Sequence, residues 1–501
     1  MTDVIVIGAG VVGCAVAREL ARFELRVAVL EKSCDVAEGA TKSNSAIVHA
    51  GFDAKPGSHK ARFNVAGNAL FEPLCRELGV PFQRNASLVV AFCPEEVSTL
   101  EELKARGETN GVPGLRIAGR DGARALEPNI GREVCAALVA PTGGICCPYE
   151  LTFRLAESAA ANGVAFCFSC GARSVSRRGD AWLVEAEDGR TFEARAVVNA
   201  AGLYADVFNN QVSAEKLTVR PRRGEYLMID KRYAGTFRQT VFQVPTAMGK
   251  GVLVSPTVDG TLIVGPTAEE IGDKTDTRTT TAGLAKIRLS VERVWNGFPS
   301  SGVIATFAGL RAHGDRGDFV LGEPADAPGF FNAAAIESPG LTAAPALGVW
   351  LAEQVADKLG AARRKEFSGG SSHWPQFRSM NAAERSAAIA RDPAYGRIVC
   401  RCESVSEAEI RAAIRCRIGA RTLDGVKRRT RAGMGRCQGG FCAPRIVEIL
   451  CEELGMAPEQ VTKFGGGSWL LAPTHDARQA TRVGPPAGSE SLVASPSLSH
   501  D

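Results

Sequence analysis

Val4-Ile5-Val6-Ile7-Gly8-Ala9-Gly10-Val11-Val12-Gly13 opens this chain, and its reading decides the fold. Val4 to Ile7 is a short, continuous β-branched run, the pattern of a parallel strand buried on both faces. It feeds a G-x-G-x-x-G turn, after which Cys14 to Arg22 carries apolar residues at helical spacing. Gly8 permits the tight turn and Gly10 lets the backbone approach a pyrophosphate. Gly13 lets helix and strand pack closely, while the helix N-terminus offers N–H groups to the anion. A second strand, Arg26 to Leu30, ends at Glu31, eighteen residues after Gly13. An acid there accepts from both hydroxyls of a ribose and repels a 2′-phosphate. A glycine triplet is weak on its own; triplet, strands, helix and acid together predict a dinucleotide site in an α/β fold.

At 501 residues the chain exceeds one core, and ~150 residues per domain predicts two to four domains. A hydrophobic content of 45% with 54 glycines and 25 prolines is ordinary for an α/β protein with many tight turns. The net charge of +4 comes without the clustered basic face that a nucleic-acid surface needs. No apolar run approaches the ~20 residues that span a bilayer, and the first residues lack the basic region of a signal peptide. The fifteen cysteines are then expected as thiols or metal ligands in a reducing compartment. The expected location is cytoplasmic, with peripheral attachment at the inner face of the cell membrane left open.

Four of those cysteines form a constellation near the other end. Cys400 and Cys402 make C-x-C, and Cys437 and Cys442 bracket Gln438-Gly439-Gly440-Phe441. Four thiolates on two glycine-rich loops can bind a [2Fe–2S] cluster or zinc, but structural zinc usually uses C-x2–4-C in both halves. Ser406-Glu407-Ala408-Glu409 predicts a capping box opening a helix to Arg415, and a closing helix is expected to Leu454. Lys427, Arg428, Arg429, Arg431 and Arg436 lie between the cysteine pairs. They could tune an anionic cluster, dock an acidic partner, or form a solvated loop. Cys416 and Cys451 fall outside the pattern. A dinucleotide site at one end and a cluster site at the other predict a redox enzyme.

Further segments carry a resemblance. They are Asn44-Ser45 followed by His49-Ala50-Gly51, Pro56-Gly57-Ser58, Val197 to Gly202, Arg223-Gly224-Glu225-Tyr226, Gly309-Leu310-Arg311 and Glu337 to Thr342. Over roughly 1–360 the chain resembles the FAD-dependent oxidoreductases of the D-amino-acid-oxidase/glycerol-3-phosphate-dehydrogenase superfamily. The likeness is strongest to the branch with glycerol-3-phosphate dehydrogenases and oxidases and L-2-hydroxyglutarate oxidases. The cysteine region resembles the bacterioferritin-associated-ferredoxin-like [2Fe–2S] module, which also closes anaerobic glycerol-3-phosphate dehydrogenase large subunits, in the same order. The resemblance implies FAD held by Gly8, Gly10, Gly13, Glu31, Ser43, Asn44, Ser45, Gly202, Gly340, Leu341 and Thr342. It also implies a cluster on Cys400, Cys402, Cys437 and Cys442. One complete glycine turn leaves no second nucleotide site for NAD.

The implied architecture is a Rossmann-like FAD-binding domain (1–80, 170–215, 325–360) interleaved with a mixed-sheet substrate domain (80–170, 215–325). A linker (361–397), a small, mostly helical module (398–455) and a tail disordered from about 472 follow. Oxidising an alcohol by hydride transfer needs a base for the hydroxyl proton and a grip on the substrate's anion. His49 is the candidate base, against the alternative of a histidine that holds a loop. Arg311 is the candidate anion receptor, against a surface arginine at a strand end. Tyr226 and Arg223 rank behind them; His313 has no motif, and Cys146 and Cys147 are expected as buried thiols. The first-choice substrate is glycerol 3-phosphate, then an L-2-hydroxy acid, then an amino acid or opine. Electrons would pass, directly or through the cluster, to a quinone, a carrier protein or other dehydrogenase subunits. The rival is a redox sensor or scaffold without turnover.

Overall fold

A computed structural model describes residues 2–245 and 251–472. The opening run forms the strand Thr2–Ile7, parallel to Val27–Leu30 on one side and Thr191–Asn199 on the other. Its residues alternate between two cores, as strand periodicity dictates. Val4 and Val6 face the helices Val11–Leu20, Pro148–Ala161 and Gly340–Leu359, whereas Ile5 and Ile7 join Trp182, Phe208 and Phe330. Ala165–Cys167 and Phe330–Ala334 extend this sheet in parallel at either side. A parallel sheet covered on both faces explains why its strands are continuously apolar.

The second sheet is mixed and has nine strands. Val219–Ile229 pairs antiparallel with Val303–Gly314 along its whole length, and Thr240–Gln243 runs parallel to Ser87–Ala91. One face buries Leu88, Leu227, Val254 and Phe237 against Ile287 and Val291 of the helix Thr281–Val294. The α/β architecture is as expected from sequence.

Two segments differ from the expected division. Pro148–Ala161 packs on the first helix through Leu151, Leu155, Ala156 and Ala159, and Ala165–Cys167 pairs with Val27–Leu30. The nucleotide-binding part therefore resumes near residue 148 rather than 170, because these residues carry the helix and strand periods that fit the first sheet. Residues 361–397 form a packed strap. Arg364 donates to the carbonyls of Phe23, Leu25 and Asn162 at 2.8–3.1 Å, and Trp374 and Phe377 are buried. The tail expected to be disordered lies, from residue 473, outside the described residues.

The C-terminal module builds its core from Ile410, Ile414, Val426, Ile446, Ile449 and Leu450. Its helices are Glu407–Arg415, Leu423–Thr430 and Ala443–Leu454, the first opened by the predicted capping box between Ser406 and Glu409. The basic stretch closes on the chain's own carboxylates. Arg429 forks onto Asp35 at 2.6 and 2.7 Å, and Arg428 bonds Asp35 at 3.1 Å and also pairs with Glu38. Arg431 bridges Asp259 (2.6 Å) and Glu403 (2.8 Å), and Lys231 reaches Glu403 at 2.7 Å. Burial opposes the ionised form of Asp35, but Arg429, Arg428 and the Val36 N–H together outweigh it and hold the carboxyl below its usual range.

Candidate functional site

The N-terminal turn opens onto a cavity of about 1480 Å³. The helix start, Gly10 to Val12, lines the cavity, so the positive end of the helix dipole lies at its wall. Gly13 is where helix and turn touch, since a Cβ there would lie 2.0 Å from the Gly8 carbonyl oxygen. Glu31 is buried, and its carboxylate accepts from Ala9 N–H (2.7 Å) and Ser33 N–H (2.8 Å). Burial pushes its pKa up while those two bonds pull against it. The carboxylate is thus fixed on the cavity wall with acceptor capacity left for ribose hydroxyls.

Gly8, Gly10, Glu31, Ser43, Asn44, Ser45, Gly202, Gly340 and Leu341 all line the cavity. The Asn44 side chain is committed to its own loop, donating to the Thr41 carbonyl at 2.8 Å and accepting from Ala46 N–H at 2.8 Å. Thr342 does not line the cavity. It is fully buried, and its Oγ1 accepts from the backbone N–H of His49 at 2.8 Å. Thr41, which the motif reading passes over, accepts from Val11 N–H at 3.1 Å and ties the loop to the helix start.

His49, Arg311 and Tyr226 share the cavity wall. The His49 backbone is clamped from both sides: its carbonyl accepts from Asn64 and Asn68, each at 2.9 Å, opposite the Thr342 bond. Its Nε2 is 3.4 Å from Ser338 Oγ. Arg311 is half-buried, with both terminal nitrogens 3.3 Å from the Thr267 carbonyl oxygen. Gly224 makes this possible, because a Cβ there would fall 2.6 Å from Arg311 Nη2. Among the described residues no carboxylate forms an ion pair with Arg311, which leaves its fork available to an anion. Tyr226 is buried, stacks on Phe307 at 4.7 Å and places its hydroxyl 3.3 Å from Ser45 Oγ.

Arg223 is not part of this wall. It is buried among Glu269 (2.7 Å), Asp276 (3.1 Å) and Glu225 (3.8 Å). Its neighbour Arg222, directly across the strand pair from Arg311, lines the cavity instead. His313 bonds Glu337 at 3.1 Å, and Lys60 holds the same carboxylate at 2.8 Å. Burial pushes the Cys146 and Cys147 thiols far up, which suits inert packing groups.

In the module the cysteines meet in pairs. Cys402 and Cys437 are exposed with sulfurs 3.7 Å apart, and Cys400 and Cys442 are both buried. The two thiols act on each other, which holds Cys400 below the usual thiol range and pushes Cys442 up. Among the described residues no three ligating side chains converge on a single point. Zinc needs four ligands around one atom, whereas a [2Fe–2S] cluster spreads four thiolates over two irons. The paired thiols fit the binuclear group.

The comparisons agree with this geometry. The FAD-dependent oxidoreductase family matches residues 3–354, and the BFD-like [2Fe-2S] binding domain matches residues 398–452. The chain is 45% identical over 475 residues to a glycerol 3-phosphate dehydrogenase of Caloramator mitchellensis, covering 94% of this chain and 98% of the relative. It is 32% identical to the glycerol 3-phosphate oxidase of Mycoplasma pneumoniae over 69% of this chain and 92% of that one. The solved structure of dithionite-reduced L-alpha-glycerophosphate oxidase from the same organism, with FAD bound, superposes with a TM-score of 0.71 at 30% identity. It covers 75% of this chain and 99% of its own. A glycine-turn cavity with a buried acid on its wall, and a family match over most of the chain, lead to one statement: this chain belongs to the FAD-dependent oxidoreductases and carries a BFD-like [2Fe-2S]-binding domain behind the catalytic part.

Proposed function

We propose that this enzyme oxidises glycerol 3-phosphate to dihydroxyacetone phosphate. The observation that carries the reading is the shared wall of His49 and Arg311, an imidazole on a clamped backbone and a guanidinium that no carboxylate among the described residues pairs with, on one cavity. The similarity to a glycerol 3-phosphate dehydrogenase across 94% of the chain supports it. Arg311 forks onto the phosphate, two parallel N–H bonds to one anion. His49 Nε2 takes the proton of the C2 hydroxyl, and its clamped backbone keeps the imidazole in place. Tyr226 and Ser45 supply hydroxyl groups beside the reacting carbon. When bound, FAD supplies the hydride acceptor at N5, and the cluster offers a one-electron route outward.

The exposed thiols Cys402 and Cys437 give that route an open edge. Phe441 beside them is 57% exposed, with the Arg401 guanidinium 4.5 Å over its ring. An electron carrier or quinone-linked partner would take electrons at this edge. Among the described residues no helix is long and apolar enough to cross a membrane, and our reading puts the enzyme in the cytoplasm or on the membrane's inner face.

Anaerobic mixing with glycerol 3-phosphate, L-2-hydroxyglutarate and a set of amino acids tests the substrate. Rapid bleaching of the oxidised flavin by glycerol 3-phosphate is expected. His49→Ala should keep FAD and slow bleaching by ~10²–10⁴-fold, the usual worth of a general base. Faster bleaching by another compound would replace the substrate; no bleaching by any of them would favour the sensor.

A further inference from the structure

The adenosine end of the FAD cavity is located by Glu31, because the acid that ends the second strand serves the ribose. The wall beyond it is made by Lys32 and Ser33 together with Ala172 and Arg173. These two segments are sewn together: Cys170 N–H donates to the Glu31 carbonyl at 2.8 Å, and Ser169 N–H to the Ser33 carbonyl at 2.9 Å. One further residue on this cavity comes from the other end of the chain. Phe464, beyond the last helix of the cluster module, lines the cavity while remaining 50% exposed.

Its position is fixed from both sides. The Cys34 thiol donates to the Phe464 carbonyl at 3.4 Å. Phe464 N–H donates to Ser468 Oγ at 2.9 Å, and Leu423 and Asp424 N–H groups hold the carbonyls of Thr462 and Lys463 at 3.1 and 2.8 Å. Gly465 reverses the chain directly on Cys34: its φ is +105°, and a Cβ there would lie 2.9 Å from the Cys34 sulfur. Next in the same loop, Asp35 is gripped by Arg428 and Arg429 of the module. A half-exposed aromatic ring is therefore anchored three ways at the lip where the adenosine half of the cofactor must enter.

We propose that Phe464 is an adenine-binding residue of the FAD site, its ring stacking on the base, so that the segment trailing the cluster module helps to hold the flavin cofactor. Every base offers a π face to an aromatic side chain, and such stacks contribute measurably to affinity. The inference rests on FAD as cofactor and is independent of the substrate. It makes cofactor retention depend on a docked module.

The test is titration of the apoprotein, cluster intact, with FAD and separately with ADP, which carries only the adenosine end. Phe464→Ala should raise Kd for FAD about tenfold (~1.4 kcal/mol), and raise Kd for ADP by the same factor. Phe464→Tyr should restore both. Trp469→Ala, a 63% exposed residue of the same loop that does not line the cavity, should leave both unchanged. Equal iron content in all variants checks that the module is folded. An FAD affinity of Phe464→Ala within about twofold of the parent, well below one stack's worth, overturns the proposal. So does a loss for FAD without one for ADP, or a Tyr variant as weak as the Ala variant.

Discussion

The two redox sites are built by opposite means. The cavity is assembled from segments between Ile7 and Phe464, and its wall joins the glycine turns to the buried acid Glu31 and to charged side chains such as Arg222 and Arg311. The C-terminal module places four thiols between Cys400 and Cys442 and exposes two of them. A large, extended cofactor needs many weak contacts along a long wall, so its residues come from wherever the fold brings a turn. A compact metal group needs a few strong covalent ligands, and a small module can supply them all. The contrast teaches that the first site depends on the global fold, whereas the second depends on four side chains.

Crossed substitutions break that comparison most sharply. Cys437→Ser should abolish iron binding and leave the flavin in place, because that thiol is exposed and is not among the described residues that line the FAD cavity. Gly13→Ala should do the reverse, as its Cβ would collide with the Gly8 carbonyl at 2.0 Å. Overpacking of this kind costs ~1–3 kcal/mol, enough to lower flavin content while iron stays. Iron and flavin assays on both purified variants decide it. Loss of both groups in either variant would mean the sites are one cooperative unit.

Asp35 is where the two regions meet, and its loss should be the next largest effect. It faces Arg429 and Arg428 in a buried cluster. Removing one partner of a buried ion pair costs ~3–5 kcal/mol, since the remaining charge is left uncompensated. Asp35→Ala should therefore lower the denaturant midpoint of the holoprotein strongly and separate module from body in a two-step unfolding curve. A shift worth under ~1 kcal/mol, the size of a surface pair, would show that water reaches the interface.

What the sequence reveals follows the same division. The opening turn, Glu31 and the cysteine pairs are legible because each is decided by short-range spacing. The Ser406–Glu409 cap is equally local. The failures are long-range or a matter of strand parity. Thr342 belongs to the glycine-rich run that approaches the cavity, yet it turns away to hold His49, a partner 293 residues distant. Arg223 and Tyr226 were grouped as neighbours in one motif, but side chains three apart on a strand point to opposite faces. Arg222 and Tyr226, four apart, share the cavity face. Parity, once the strand is recognised, would have selected Arg222. The destination of Arg428 and Arg429 was beyond any local rule, for nothing near them in sequence marks Asp35 as their partner.

The smallest expected effect concerns acid stability inside the module. Glu407 is buried at its entry helix, where Arg397, Arg411 and Arg445 all hydrogen-bond its carboxylate. Those bonds, Arg397 first although burial opposes them, lower its pKa from 4.5 to about 2. A carboxyl with a depressed folded pKa stabilises the fold fully above its unfolded value and loses that contribution as pH falls through the folded one. The window here runs from about pH 4.5 down to about 2. Arg397 is 59% exposed, so solvent screens part of the interaction and the gain is modest. Glu407→Gln, which keeps the shape but not the charge, should therefore flatten the acid limb of the stability–pH curve in that window and barely change it near neutrality beyond a constant offset. The Asp35 pair, with both partners buried, should be less sensitive to added salt than Glu407. If the two variants lost stability with the same salt dependence, the distinction between a sealed interdomain contact and a buried carboxylate with solvent-screened partners would fail.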